Sequence, residues 1–208
     1  MLQHLQNFTA PSTSFPAKAY HLLVMLRGFI PWAIRNRVAR TKPLVTSFFA
    51  ALRAAEGADV PIGAAGFCWG GKHAILLSAA PTAASAAEGG GEDGGSSGAA
   101  AAEARPLIDA AFTAHPSYLN LPLDIEAIAV PVSFAIGDLD SQTSREQAET
   151  IRAIVEGKEA RLKGEVRMYE GCGHGFALRA DNTLNDVSQQ AAEAEDQAIA
   201  WFEKWLSR

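Results

Sequence analysis

The residue with the clearest chemical signature in this chain is Cys68, the centre of the pentapeptide GFCWG at 66–70. A nucleophile between two such glycines is typical of a tight turn that leads from a buried strand into a helix. The run 61–67 is short and apolar, as a buried strand would be, and the run 69–78 has a helical pattern. At a helix N-terminus the dipole and the free N–H groups favour a thiolate. We therefore predict a nucleophilic cysteine, with an inert buried thiol as the alternative.

Acidic residues and a histidine follow this cysteine in the order that a catalytic triad needs. Asp138 and Asp140 come directly after a second apolar run, 131–137, and His174 lies in a glycine-rich loop after the strand-like run 165–169. The order nucleophile, acid, histidine, with each group after a strand, is typical of the α/β-hydrolase fold. The spacing G-x-x-D favours Asp140 as the acid. The alternative role for Asp138 is that of a turn residue bonded to local backbone.

Taken together, these motifs resemble the dienelactone hydrolase family of α/β-hydrolases. The resemblance extends from about residue 29 to the C-terminus, and it is carried by GFCWGGK at 66–72, AHPS at 114–117, IGDLD at 136–140 and GHGFA at 173–177. It implies Cys68 as nucleophile, Asp140 as acid and His174 as base. It also implies small activated esters or lactones as substrates, as for a carboxymethylenebutenolidase.

The residue types support covalent acyl transfer without a cofactor or a metal. A Cys68 thiolate would attack the carbonyl carbon, and His174 would handle the proton on the leaving oxygen. The backbone N–H of Trp69, one residue after the nucleophile, would be one donor to the oxyanion. The five histidines are scattered, with no H-x-x-H or C-x-x-C cluster, so we predict no metal site.

Three residues near these motifs are candidates for substrate binding. The resemblance implies arginines that bind a substrate carboxylate, and Arg179, five residues after His174, is the nearest arginine. Phe176 and Tyr118 are candidates for the walls of an apolar pocket. The alternatives are a solvated surface role for Arg179 and simple core packing for the two aromatic residues.

The length of 208 residues and the 48% hydrophobic content are sufficient for one α/β domain. We predict a mostly parallel sheet with helices on both faces over 29–208, after an atypical segment at 1–28. The Ala-, Gly- and Ser-rich segment 82–105 is predicted to be a flexible insertion. The predicted strands before the elbow are too few for a complete α/β-hydrolase. The front half of the sheet is therefore expected to be incomplete, with an exposed edge open to homo-association.

Charge and cysteine content limit the partners and the compartment. The net charge is −5 and no basic patch with aromatic residues is present, so we expect no nucleic-acid partner. The apolar run 21–26 is too short for a membrane span, so we expect no membrane partner. Residues 1–55 contain seven Lys and Arg but no Asp or Glu, which is the composition of a mitochondrial transit peptide. We expect a cytoplasmic protein, with mitochondria as the alternative. The two cysteines provide no disulfide framework.

Two further functional hypotheses stand beside the hydrolase. One is a truncated, non-catalytic remnant that acts through protein association across the exposed sheet edge. The other is a thiol-based sensor in which Cys68 and Cys172 form a reversible disulfide.

Overall fold

The computed structural model describes residues 14–57, 59–80, 106–178 and 185–207. The predicted insertion at 82–105 and Arg179 lie outside these described residues. The helices are α1 (Phe15–Arg35), α2 (Val38–Glu56), α3 (Trp69–Leu77), α4 (Leu123–Glu126), α5 (Arg145–Glu156) and α6 (Asn185–Leu206), with a 3₁₀ turn at Ala160–Leu162. The strands are β1 (Gly63–Phe67), β2 (Ala110–Ala114), β3 (Val132–Leu139) and β4 (Glu165–Gly173).

The four described strands form one parallel sheet in the order β1-β2-β3-β4. Phe67 lies opposite Ala114, so β1 and β2 end at the same level, and Ala114 lies opposite Ala135, after which β3 continues beside β4 to Leu139. Ligand sites in parallel sheets lie beyond the carboxyl ends of the strands, and here all four ends meet at one edge. The predicted α/β class is confirmed. Within the described part of the chain, β1 pairs only with β2 and forms one edge of the sheet.

Alternating side chains of the strands bury two separate cores, one on each face of the sheet. Val132, Phe134 and Ile136 of β3 point to the larger core, which α3 and α5 cover. Ala135, between them, points to the opposite core, which α6 covers. Each buried aliphatic or aromatic side chain contributes about 1.5–3 kcal/mol relative to an exposed one. The helices therefore lie on both faces of the sheet, as predicted.

Helix α2 is joined to the first two strands by a partly buried ion pair. The Arg53 guanidinium lies 2.6 Å from the Asp109 carboxylate, and the same carboxylate oxygen accepts the backbone N–H of Ile62 at 2.8 Å. Asp109 immediately precedes β2, and Ile62 immediately precedes β1. One carboxylate therefore fixes the entry points of both strands, and β1 is the strand that leads to the elbow.

The start of α5 follows from a capping box in the sequence. The Ser144 hydroxyl accepts the Gln147 backbone N–H at 3.3 Å, and the Gln147 side chain accepts the Ser144 N–H at 2.9 Å. These two bonds satisfy N–H groups that the helix itself leaves unpaired. The cap holds the segment that follows β3, in which Asp140 lies.

The chain divides into two compact units, Met1–Leu44 and Val45–Arg208. In the first unit the described residues form α1 and the beginning of α2. The apolar run at 20–26, whose pattern fits either a strand or a helix, is therefore helical. The second unit contains the sheet, both cores and every residue of the predicted triad. No helix within the described ranges has both the length and the apolar character needed to cross a bilayer.

Candidate active site

The turn between β1 and α3 holds Cys68 in a backbone conformation that L-residues rarely adopt. Its φ is 52° and its ψ is −119°. The Cys68 N–H donates to the Ala114 carbonyl at 3.2 Å, and the Gly71 N–H donates to the Cys68 carbonyl at 3.0 Å. A strained non-glycine residue costs about 1–3 kcal/mol, and such residues concentrate at functional sites. The neighbouring strand and the first turn of α3 thus hold the predicted nucleophile in place.

Two glycines of the elbow are required by close packing. A methyl group at Gly66 would lie 2.4 Å from the Gly70 carbonyl oxygen, within the turn itself. A methyl group at Gly71 would lie 2.4 Å from the Thr113 Oγ1 of β2. Neither distance is compatible with a side chain. The glycine-rich pattern therefore serves both the tight turn and the close approach of α3 to the sheet.

The structure brings Cys68, His174 and Asp140 into one hydrogen-bonded chain. The His174 Nε2 lies 3.0 Å from the Cys68 Sγ. On the other side of the ring, Nδ1 lies 3.0 Å and 3.1 Å from the two Asp140 carboxylate oxygens. This is the geometry of a nucleophile, a base and an orienting acid.

Asp140 and Asp138 have different environments although both follow the same strand. The Asp140 carboxylate is buried and also accepts the backbone N–H groups of Gln142 at 2.7 Å and Thr143 at 3.3 Å. Asp138 instead forms an ion pair with the exposed Arg145 at 3.2 Å. Of the two aspartates, Asp140 is the one that contacts the histidine.

The charges of the three groups stabilise one another. Burial raises the pKa of Cys68, but hydrogen bonds with Ser117 and His174, the imidazolium charge and the Trp69 N–H together hold that pKa below its usual value. The hydrogen bond with Asp140 raises the pKa of His174, and this outweighs burial, which lowers it. Burial raises the pKa of Asp140, but its bonds with His174 and with the two backbone N–H groups leave it lowered. These shifts all favour the charged forms of the three groups and therefore a thiolate–imidazolium pair.

His174 is supported by the aromatic residues that surround its loop. It follows directly after β4, and the Phe176 N–H closes a turn onto the Gly173 carbonyl at 3.2 Å. Phe176 is only 3% exposed and packs on Tyr169, with the ring centres 5.0 Å apart. His115 lies edge to face with His174 at 5.2 Å. The predicted pocket-wall role of Phe176 is therefore not supported by its position, because the ring is buried in the core on the α6 side.

The other residues near the site differ in their exposure and in their contacts. Tyr118 is 58% exposed and has a positive φ of 59°, so it lies on the surface beside the site. The Trp69 N–H, the predicted oxyanion donor, is among the groups that lower the pKa of Cys68. Arg179 is not among the described residues. Lys72, one turn into α3, forms a buried ion pair with Asp124 and has a structural role.

Cys172 differs from Cys68 in every respect that matters for reactivity. It is fully buried in the core on the α6 side, and burial raises the pKa of its thiol. Both cysteines are free thiols. A neutral, inaccessible thiol reacts slowly, since the thiolate is the reactive form.

Ser117 is a polar contact of the site to which the sequence analysis assigned no role. Its Oγ lies 3.4 Å from the Cys68 Sγ and 3.4 Å from the His174 Nε2. The only signal in the sequence is its presence in the AHPS motif at 114–117.

Comparisons with known proteins identify the family and the fold of the chain. The model of the dienelactone hydrolase family matches residues 93–206, which is more than half of the chain. Among curated proteins, the Hydrolase tropI of Talaromyces stipitatus is 25% identical over 149 residues, or 70% of this chain and 46% of the relative. The chain thus spans about half the length of this curated relative.

Solved structures share the fold. A putative dienelactone hydrolase from Klebsiella pneumoniae matches with 21% identity and a TM-score of 0.51, over 75% of this chain and 57% of its own. A dienelactone hydrolase-like promiscuous phosphotriesterase from metagenomic libraries matches with 17% identity and a TM-score of 0.56, over 88% of this chain and 69% of its own. With the family match over more than half of its length, the chain belongs to the dienelactone hydrolase family.

Proposed function

We propose that this protein hydrolyses small activated esters or lactones, using Cys68 as nucleophile, His174 as base and Asp140 as the orienting acid. The observation that carries the proposal is the unbroken hydrogen-bonded chain from sulfur to imidazole to carboxylate, with contacts of 3.0 Å on both sides of the ring. The lowered pKa of Cys68 and the raised pKa of His174 add to this support, because they favour the reactive ion pair.

The reaction follows from these groups in two balanced steps. In the first, the Cys68 thiolate bonds to the carbonyl carbon, and the carbonyl oxygen becomes an oxyanion facing the Trp69 N–H. When the carbon–oxygen bond breaks, the His174 imidazolium donates its proton to the leaving oxygen, and an acyl-thioester remains. In the second step, neutral His174 takes a proton from water, whose oxygen bonds to the thioester carbon. The carbon–sulfur bond then breaks, which releases the acid and restores the Cys68 thiolate beside the His174 imidazolium. Asp140 holds the imidazole orientation throughout.

The choice of nucleophile sets the substrate class that we propose. A thiolate is itself a good leaving group, so a tetrahedral adduct with a poor leaving group would return to the substrate. Phenol and enol oxygens leave readily enough to compete with the thiolate. The proposed substrates are therefore aryl and enol esters and unsaturated lactones that open to an enol. Exposed Tyr118 and the predicted Arg179 are the proposed contacts for the remainder of the substrate, the arginine through a carboxylate.

The mechanism requires a free thiol at Cys68, and both cysteines are free. Thiols persist in reducing compartments, since disulfides belong mainly to secreted proteins. We therefore propose the cytoplasm as the site of action, with the mitochondrial interior as the alternative.

Trapping of the acyl-thioester tests the proposal directly. The protein is mixed with excess aryl acetate, quenched in acid after a few turnovers, digested and mapped by mass spectrometry. We expect one acetyl group on the peptide that contains Cys68, removed by neutral hydroxylamine because thioesters are labile to it. The peptide that contains Cys172 is the internal control and should remain unmodified, since that thiol is buried. Turnover with acetyl on a different residue, or with no covalent adduct, would contradict the proposal.

A second candidate, association between two copies, is favoured by the position of β1. In the described sheet this strand has a neighbour on one side only, and its Ala65 is exposed. Unpaired strand edges are templates for pairing with another chain. If this edge self-associates, the protein elutes as a dimer and Ala65→Lys converts it to a monomer, because a charged side chain disfavours edge pairing. A wild type that elutes as a monomer at micromolar concentration would exclude this candidate.

A further inference from the structure

We infer that Ser117 is a fourth catalytic residue, whose hydroxyl group binds the sulfur of Cys68 and stabilises it as the reactive thiolate. The inference deepens the proposed hydrolase and rests on it. It assigns a task to the AHPS motif at 114–117, which the triad leaves without one.

The Ser117 oxygen, the Cys68 sulfur and the His174 Nε2 are in mutual contact. The Ser117 Oγ lies 3.4 Å from the Cys68 Sγ and 3.4 Å from the His174 Nε2, while the sulfur and the nitrogen lie 3.0 Å apart. A hydroxyl group in contact with both the nucleophile and the base touches the reacting atoms themselves. This distinguishes Ser117 from Thr143, which donates its N–H to Asp140 and its hydroxyl to the Pro116 carbonyl.

The hydrogen-bonding capacity of each group determines the direction of these contacts. A thiolate can only accept, and the imidazolium Nε2 can only donate. In the ion pair, the Ser117 O–H therefore donates to sulfur, and its lone pairs face the imidazolium. Hydrogen bonds to charged groups are stronger than those to neutral ones, so this donor favours the thiolate over the thiol. After acylation the sulfur carries no charge, and the same O–H is free to turn.

Backbone contacts hold Ser117 in this position. Its N–H donates to the Cys68 carbonyl at 3.1 Å, and the preceding Pro116 carbonyl accepts the Thr143 hydroxyl at 2.9 Å. Thr143 in turn donates its N–H to Asp140, so the segment after β2 is connected to the acid of the triad. Ser117 itself is 2% exposed. The hydroxyl group is thus aimed at the sulfur and is not a mobile surface group.

The backbone on both sides of Ser117 is strained. His115 has a φ of 40° and Tyr118 a φ of 59°, and neither residue is a glycine. Such conformations persist where surrounding contacts enforce them, and they concentrate at functional sites. With Ser117 included, each of the four strands contributes one group at its carboxyl end: Cys68 after β1, Ser117 after β2, Asp140 after β3 and His174 after β4.

The electrostatics agree with the geometry. Burial is the largest influence on the pKa of Cys68 and raises it. The hydrogen bond with Ser117 is the largest of the influences that lower that pKa, ahead of the bond with His174. Loss of the hydroxyl should therefore leave a thiol that ionises only at higher pH.

The test measures the ionisation of Cys68 without an ester substrate. In a Cys172→Ala background, the rate of alkylation by iodoacetamide is recorded against pH for the parent and for Ser117→Ala. We expect Ser117→Ala to move the midpoint to higher pH and to slow alkylation at neutral pH about tenfold, the size of a charge-assisted hydrogen bond. At alkaline pH the two rates should converge, because the thiolate then forms without the serine.

An isosteric pair of variants separates the hydroxyl from packing. Ser117→Thr keeps the hydroxyl and Ser117→Val replaces it with a methyl group of the same shape. Only the threonine variant should retain the parent midpoint. A common midpoint for these two variants, or an unchanged midpoint in Ser117→Ala, would overturn the inference while Cys68-dependent ester turnover remained intact. If instead the midpoint shifts but no turnover occurs, the hydrolase proposal fails and the serine–sulfur contact stands.

Discussion

Replacing Cys68 with alanine is expected to reduce kcat/KM for an activated aryl ester by at least about 10³-fold, since the variant lacks the thiolate that is proposed to form the acyl intermediate. The fold should survive, because an alanine occupies the same elbow with a smaller side chain. The measurement is release of the phenol at neutral pH, with circular dichroism to verify folding. His174 and Asp140 remain in the variant, so the loss reports the nucleophile alone.

The second cysteine of the chain offers a matched control for this experiment. Cys172→Ala removes a thiol that lies in the core on the α6 side and that burial keeps neutral, so its kcat/KM should remain close to that of the wild type. Equal rates for wild type and Cys68→Ala would refute the covalent mechanism. Equal losses in both variants would point to a folding defect and not to chemistry.

Replacing Asp140, the proposed acid, is expected to have the next largest effect. Asp140→Asn keeps the size of the side chain but removes the charge that faces the His174 Nδ1 at 3.0 Å. We expect kcat/KM to fall by about 10²–10⁴-fold, because the imidazole loses both its orientation and the stabilisation of its cation.

The pH profile of this variant should change in a defined direction. The active ion pair is lost at low pH, where the Cys68 thiolate is protonated, and at high pH, where the His174 imidazolium loses its proton. The hydrogen bond with Asp140 is the largest influence that raises the pKa of His174. Without that carboxylate, the alkaline limb of kcat/KM moves to lower pH and the active range becomes narrower. The two limbs belong to the coupled pair and not to either residue alone.

Asp138→Asn is the matched control, since it removes a carboxylate from the same strand end. Its ion-pair partner is Arg145 and not the histidine, and because the Arg145 side chain is 59% exposed the pair contributes little. We expect kcat/KM within about threefold of the wild type and an unshifted alkaline limb. A larger effect from Asp138→Asn than from Asp140→Asn would exchange the roles of the two aspartates.

Much of the fold could be predicted from local patterns. The short apolar runs 61–67 and 131–137 predicted β1 and β3, and the alternation of apolar and acidic residues from 186 to 206 is that of the amphipathic helix α6. The predicted strand at 165–169 continues as β4 to Gly173, because its later residues pair irregularly with the end of β3. That extension carries the strand to within one residue of His174. The pattern of the run at 20–26 fits a strand or a helix, since a short apolar run satisfies the period of both. In the structure this run is helical.

Positions set by packing were harder to predict. Phe176 lies two residues after His174 in sequence, yet its side chain turns inward against Tyr169. Ser117 is separated from Cys68 by 49 residues and from His174 by 57, and no local pattern indicates that its hydroxyl meets both. The spacing of the two aspartates favoured Asp140, but only the environment of each carboxylate identifies their different partners.

The sequence by itself determined the elbow, the order of the proposed nucleophile, acid and histidine, and the family, because glycine requirements, apolar periodicity and motif order are local properties of the chain. Tertiary structure decided which of these groups touch. Cys68 and His174 are 106 residues apart and meet at 3.0 Å because parallel register aligns the ends of β1 to β4 at one edge of the sheet. The same register carries Ser117 to the sulfur. A contact of that kind depends on pairing between distant strands, which residue types alone do not encode.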